Sequence, residues 1–239
     1  MTKLLLLLLS GAKLGKVALT AGSMLVSLIV YAFVFGWRYA AGFIALLFVH
    51  EMGHYIAARQ RGLDVGAPTF IPFVGAWIEL KQMPHDAETE AYVGLGGPLL
   101  GSVGALACYW AARSYDAPWL LAVAYAGFFI NLFNLIPLSP FDGGRITAVL
   151  SPRIWLLGVP ILLGLFLWNP SPLLILMAVL AAPQVIKAWH FDPNAPENAA
   201  YYGVAPAKRF EYGLYYVALA AFLGVMSYEL HERLAAVRP

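Results

Sequence analysis

The stretch from Phe43 to Gly62 reads FIALLFVHEMGHYIAARQRG, an apolar helix pattern that carries His50, Glu51 and His54. An ionisable residue at the centre of a membrane-spanning helix costs roughly 2.5–3.5 kcal/mol on insertion scales, so such residues mark function before packing. Histidines at i and i+4 project from one helix face, close enough to share a metal ion. Glu51 follows the first histidine directly, where an HExxH zinc site keeps its general base. A bare HExxH match fixes only three positions and arises by chance in soluble helices. Here the apolar setting gives it weight, because the three groups would oppose insertion unless a divalent cation offset them by ligation.

The rest of the chain supplies that membrane setting. Of its 239 residues, 61% are hydrophobic and 12% charged, against ~25% charged in ordinary soluble domains. With a mean hydropathy of +0.73, the expected fold class is an all-α polytopic membrane protein, with no room for a large soluble domain. Spans need ~20 apolar residues, and the pattern predicts six to seven of them. They fall at 17–35, 39–58, 94–112, 119–138 and 212–226, with a short pair at 154–168 and 172–186 that reads as a tilted or re-entrant hairpin. Gly96-Gly97-Pro98 is read as the opening of the third span, where proline suits a helix start. The apolar core of residues 1–16, Leu4 to Leu9, is shorter than the ~7–15 residues of a signal peptide. That segment is therefore expected to persist as an interfacial or leading segment. Residues 17–150 form the expected catalytic core. Residues 151–239 add a hairpin, a polar linker (His190 to Lys208) and a last helix. Cys108 is the sole cysteine, which excludes a disulfide framework and a cysteine zinc site.

Between the second and third spans, Val65 to Lys81 is apolar but broken by Pro68, Pro72 and Gly75. Proline argues against helix, and flanking aromatic and β-branched residues predict a short β-hairpin. At membrane depth such backbone must be buried in protein or line a cavity, so a membrane-re-entrant hairpin is expected. The acidic segment His85 to Glu90 reads as solvated surface. With the N-terminus in the cytoplasm and seven alternating spans, eleven of the fifteen Lys and Arg residues fall on the cytoplasmic side, in keeping with the positive-inside rule. The expected location is a multi-pass protein of a prokaryotic cell membrane, its active site nearer the cytoplasmic face.

A catalytic zinc usually takes three protein ligands and leaves one position for water. Glu79, Asp86, Glu88 and Glu90 are candidates for the third ligand, but they lie in a polar loop where a carboxylate costs nothing to keep. Asp142 is the better one: it ends an apolar span and is followed by Gly143-Gly144, which permit a tight turn. Asn134 lies in the same span and either bridges helices or takes part in the site. Tyr125, Phe128, Phe129 and Phe133 read as packing, and His85, His190 and His231 as surface residues.

FVHEMGH (48–54) in one span and NLIPLSPFDGG (134–144) ending another resemble the site-2 proteases, intramembrane zinc metallopeptidases. The resemblance covers roughly residues 17–150 and is of the short form, without PDZ or CBS domains. It implies one catalytic zinc held by His50, His54 and Asp142, with Glu51 as general base and Asn134 beside the site. It further implies that the hairpin, through Phe73 and Gly75, and the Gly97-Pro98 element contact an unwound segment of a membrane-protein substrate within the lipid bilayer. The chain departs from the family at Gly101-Ser102, where a polar asparagine is often found. No nucleic-acid partner is expected, and oligomeric state is not legible. The function implied is hydrolysis of peptide bonds in or near transmembrane segments. Two rivals remain at this level: a prenyl-protein type of membrane peptidase, which takes glutamate as third ligand, and a non-catalytic zinc scaffold of the same fold.

Overall fold

The computed structural model describes residues 2–73, 75–77 and 82–236. Helices α1 (Thr2–Phe35) and α2 (Trp37–Gln60) are separated by Gly36, whose φ of 85° ends the first helix. A two-stranded antiparallel hairpin follows, β1 (Thr69–Ile71) with β2 (Gly75–Trp77). Then come α3 (Ala87–Ser114), α4 (Pro118–Asn134), the short α5 (Asp142–Thr147) and a 3-10 turn at Pro152–Leu157. The chain closes with α6 (Gly158–Trp168), α7 (Pro172–Trp189), α8 (Pro196–Tyr202) and α9 (Pro206–Ala236). Among the described residues, five helices are long and apolar enough to cross a membrane: α1 over 18–35, α2, α3, α7 and α9. Two shorter apolar stretches, Pro118–Asn134 and Pro152–Trp168, accompany them. The protein is therefore an all-α polytopic membrane protein with a minimal β element. Large apolar side chains such as Leu167, Trp168, Val179 and Val217 face outward, an arrangement stable only where the solvent is itself apolar.

Two expectations about the third span need correction. The third span begins at Ala87, not Gly94, because Asp86 caps it by accepting a hydrogen bond from the Thr89 N–H at 2.7 Å. Glu88 and Glu90 occupy its first turn, where the helix dipole favours acidic groups. From Ala87 onward the acidic segment is therefore the first turn of a helix. Pro98 accordingly lies inside α3 and is fully buried. Lacking an N–H, it withholds the usual hydrogen bond from the Gly94 carbonyl. The linker from 190 to 208 also contains α8, with Pro196 in its first turn. Residues 2–16 are helical and continuous with α1. Glu79, Lys81 and Arg238, used in the sequence reading, lie outside the described residues.

The hairpin packs on α1. Thr20 donates its hydroxyl to the Pro68 carbonyl at 2.7 Å, and the Phe70 N–H donates to Ser23 Oγ at 3.2 Å. Phe70 joins Tyr31, Ala40, Ile44 and Leu47 in a core shared by α1, α2 and the strand. Since Phe70 turns its amide toward α1, its pairing with Ala76 is the non-hydrogen-bonded one. The Ala76 backbone groups then point to the outer edge of β2.

The closest packing is between α2 and α3. A Cβ on Gly53 would fall onto the Gly96 carbonyl and lie 2.9 Å from Gly97 Cα. One on Gly96 would lie 2.5 Å from the Gly53 carbonyl oxygen. The two helices touch backbone to backbone, and neither can retreat as a side chain could. Gly53→Ala is expected to destabilise the protein by about 1–3 kcal/mol, the range for overpacking. Gly164→Ala, with nothing within 4 Å of its added methyl, serves as the control. A thermal melt of the detergent-solubilised proteins decides it, and equal midpoints for both variants would refute the close-packing argument.

Candidate metal centre

Helix periodicity places His50 and His54 on one face of α2, where both are buried. Asp142, the first residue of α5, reaches them from the other side of the core. Its Oδ2 lies 3.1 Å from His50 Nε2 and its Oδ1 lies 3.2 Å from His54 Nε2. The two Nε2 atoms are 3.1 Å apart, and two ligands about 2.0–2.1 Å from a tetrahedral zinc stand roughly 3.3 Å apart.

The protonation pattern tests the fit. His54 Nδ1 lies 2.8 Å from the Val93 carbonyl, which can only accept, so Nδ1 carries the proton. His50 Nδ1 lies 2.7 Å from Asn131 Oδ1. That amide's orientation is set by its own NH₂, which donates to the Gly127 carbonyl at 2.7 Å, so His50 Nδ1 is likewise the donor. As neutral imidazoles, both rings then present Nε2 lone pairs to each other and to a carboxylate. Three acceptors converging in a buried space repel unless a cation lies among them. His50, His54 and Asp142 form a single zinc-binding site, and among the described residues no other such group of donors occurs.

Glycines let the backbone approach this centre. Any Cβ on Gly97 would overlap the His54 ring, and one on Gly101 would overlap the Asn131 amide. A Cβ on Gly143 would strike the Leu135 and Ile136 carbonyls. Glu51 is 5% exposed beside the two ligands. Among the described residues its carboxylate makes no hydrogen bond, so it is free to accept one.

Residues 38–116 match the Peptidase family M50 model. That stretch is about a third of the chain and holds both histidines and Glu51. The chain is also similar to the zinc metalloprotease MJ0392 of Methanocaldococcus jannaschii, at 30% identity over 118 residues, 45% of this chain and 34% of that protein. Rip3 of Mycobacterium tuberculosis, named provisionally as a zinc metalloprotease, is 31% identical over 133 residues, 48% of this chain and 32% of Rip3. The chloroplastic EGY1 of Arabidopsis thaliana, named in the same provisional way, is 32% identical over 68 residues, 26% of this chain and 12% of EGY1. The chain thus spans about a third or less of the length of these curated relatives.

The other carboxylates weighed from sequence have different partners. Asp86 caps α3, Glu88 lies 3.7 Å from Arg61, and Glu90 accepts a hydrogen bond from the Tyr201 hydroxyl at 2.8 Å. Burial, with Glu90 beside it, holds the Tyr201 phenol protonated well above its ordinary range. His85, His190 and His231 are exposed, as expected, and Phe128 is fully buried. Phe129, read as packing, is 49% exposed and so faces outward. Asn134 is the last residue of α4, partly buried. Phe73 has a φ of 62° and donates its N–H to the Tyr31 hydroxyl at 3.0 Å. Gly75 pairs with Ile71 in the hairpin.

Asn131 was missed from sequence. It looks like an in-span asparagine one helical turn before Asn134, and only the α2–α4 packing shows that it meets His50. Asn131→Leu removes the acceptor that fixes the His50 tautomer. Zinc affinity, measured by competition with a chromogenic chelator, is expected to fall about 10–100-fold, the usual loss for an outer-shell partner of a metal-bound histidine. Unchanged affinity would show that the tautomer is set otherwise.

Proposed function

We propose that this chain is an intramembrane zinc metalloendopeptidase of the site-2 type, cutting membrane-anchored substrates in or near their transmembrane segments. The observation that carries the reading is the convergence of two imidazoles and one carboxylate beside a buried Glu51. When bound, zinc supplies Lewis acidity toward water and toward the scissile carbonyl. Glu51 takes the proton from the attacking water and returns it to the leaving amine. The intact general base speaks against a purely structural zinc scaffold, and the aspartate against a glutamate-ligated peptidase.

An intact substrate helix hides its carbonyls in hydrogen bonds, so the substrate has to present extended backbone. Strand addition serves this purpose. The β1 edge is occupied by Thr20 and Ser23 of α1, which leaves the β2 edge at Ala76 for a substrate strand. In this reading the hairpin is re-entrant, Phe73 and Gly75 shape the turn next to the substrate, and Gly97 and Pro98 line its path to the metal. Asn134 orients the scissile carbonyl. The shorter helices α4 and α6 also cross the bilayer, giving seven spans, and the site opens nearer the cytoplasmic face.

Comparison of membrane fragments in cells carrying wild-type or Glu51→Gln protein tests the function. Transmembrane stubs that accumulate only with the variant are the expected result. Identical fragment populations in both would overturn the proposal.

A further inference from the structure

Asp142 reaches the histidines only because a seven-residue turn, Leu135 to Phe141, brings α5 back against the end of α4. Three side chains from three separate C-terminal elements grip the backbone of this turn and its continuation into α5. The Tyr216 hydroxyl of α9 donates to the Leu135 carbonyl at 2.5 Å. The Ser139 N–H donates to Gln184 Oε1 of α7 at 2.5 Å. Trp155 Nε1, buried in the 3-10 turn, donates to the Gly144 carbonyl at 2.8 Å. Irregular backbone at membrane depth has no water to satisfy it, so each bond removes a penalty and also fixes a position. One anchor precedes Asp142, one sits in the middle of the turn, and one lies two residues beyond the ligand.

The histidines have their own, separate fixation: Asn131 and Val93 hold the rings. Nothing in α2, α3 or α4 holds the turn between Ile136 and Phe141 by a side-chain hydrogen bond among the described residues. All three gripping residues lie beyond the M50 match, which ends at residue 116.

We propose that Tyr216, Gln184 and Trp155 are positioning residues for the third zinc ligand, so that the C-terminal helices are a working part of the metal site. The proposal rests on Asp142 being a ligand. They act through the backbone of the 135–144 turn and touch neither metal nor substrate. Loosening any one of them lets Asp142 sample positions away from the two imidazoles while the His50–His54 pair stays in place.

The test uses full-length protein in detergent, stripped of metal and titrated with zinc or with cobalt(II), whose visible absorption reports coordination geometry. The variants are Tyr216→Phe, Gln184→Met and Trp155→Phe, each removing the group that bonds the turn, the last also trimming a buried ring, with Gln184→Glu keeping the acceptor. Zinc affinity is expected to fall about tenfold in the first three. Their cobalt bands should weaken and shift, and Gln184→Glu should stay near wild type. Asp142→Asn is the reference. If it lowers affinity and alters the cobalt spectrum while the three variants keep both within twofold of wild type, the positioning role is overturned. If Asp142→Asn itself changes neither, the ligand assignment falls first. Should one of the three fail to fold, the other two still decide the outcome.

Discussion

Glu51→Gln is expected to purify with as much zinc as the wild type and to cleave membrane substrates at least about 10²–10⁴-fold more slowly. General acid–base groups contribute on that order, and glutamine matches glutamate in shape but cannot take a proton from water. The metal should stay because Glu51 is not among the three converging donors. The two histidine rings are held by hydrogen bonds to Asn131 and to the Val93 carbonyl, not to residue 51. Time courses with the fluorescently tagged substrate that accumulates in variant cells, run beside metal analysis of the same preparation, give both readouts. A zinc-loaded variant that keeps more than a tenth of the activity would remove Glu51 from the chemistry. A variant without zinc would make it a structural member of the site.

The second large effect is at Asp142. Asp142→Ala should lose zinc by more than the roughly 10–100-fold that follows loss of an outer-shell partner, because it removes a donor itself. It also leaves two imidazole lone pairs 3.1 Å apart with no carboxylate to balance a divalent charge. Glu88→Ala and Glu90→Ala should keep zinc, since those carboxylates are engaged by Arg61 and Tyr201. Zinc retained in Asp142→Ala but lost from either glutamate variant would transfer the site to the glutamate-ligated class of membrane peptidase.

How far the sequence alone reached depends on the range of the interaction. The His50–His54 pair needs only helix periodicity, so four residues of spacing sufficed. Asp142, 88 residues beyond His54, could be singled out only because a carboxylate after a long apolar run demands a partner. Asn131 stayed hidden because its role needs α2 and α4 to be packed, and its neighbour Asn134 carried the more recognisable spacing. The start of α3 was misjudged although its signal was present. Asp86 with Thr89, and acidic residues at 88 and 90, are a helix N-terminus, but Pro98 competes with them because proline also suits a helix start. That proline lies fully buried within the helix, where packing outweighs the hydrogen bond it forgoes. The three C-terminal anchors were illegible, since Tyr216, Gln184 and Trp155 meet backbone, and backbone leaves no trace in residue type.

Zinc K-edge X-ray absorption on the wild-type protein in detergent tests the central claim most directly. The account predicts one zinc per chain, two imidazoles in the multiple-scattering pattern, and the remaining ligands oxygen at about 2.0–2.2 Å. A first shell with a single imidazole, or with a sulfur scatterer at about 2.3 Å, would contradict it.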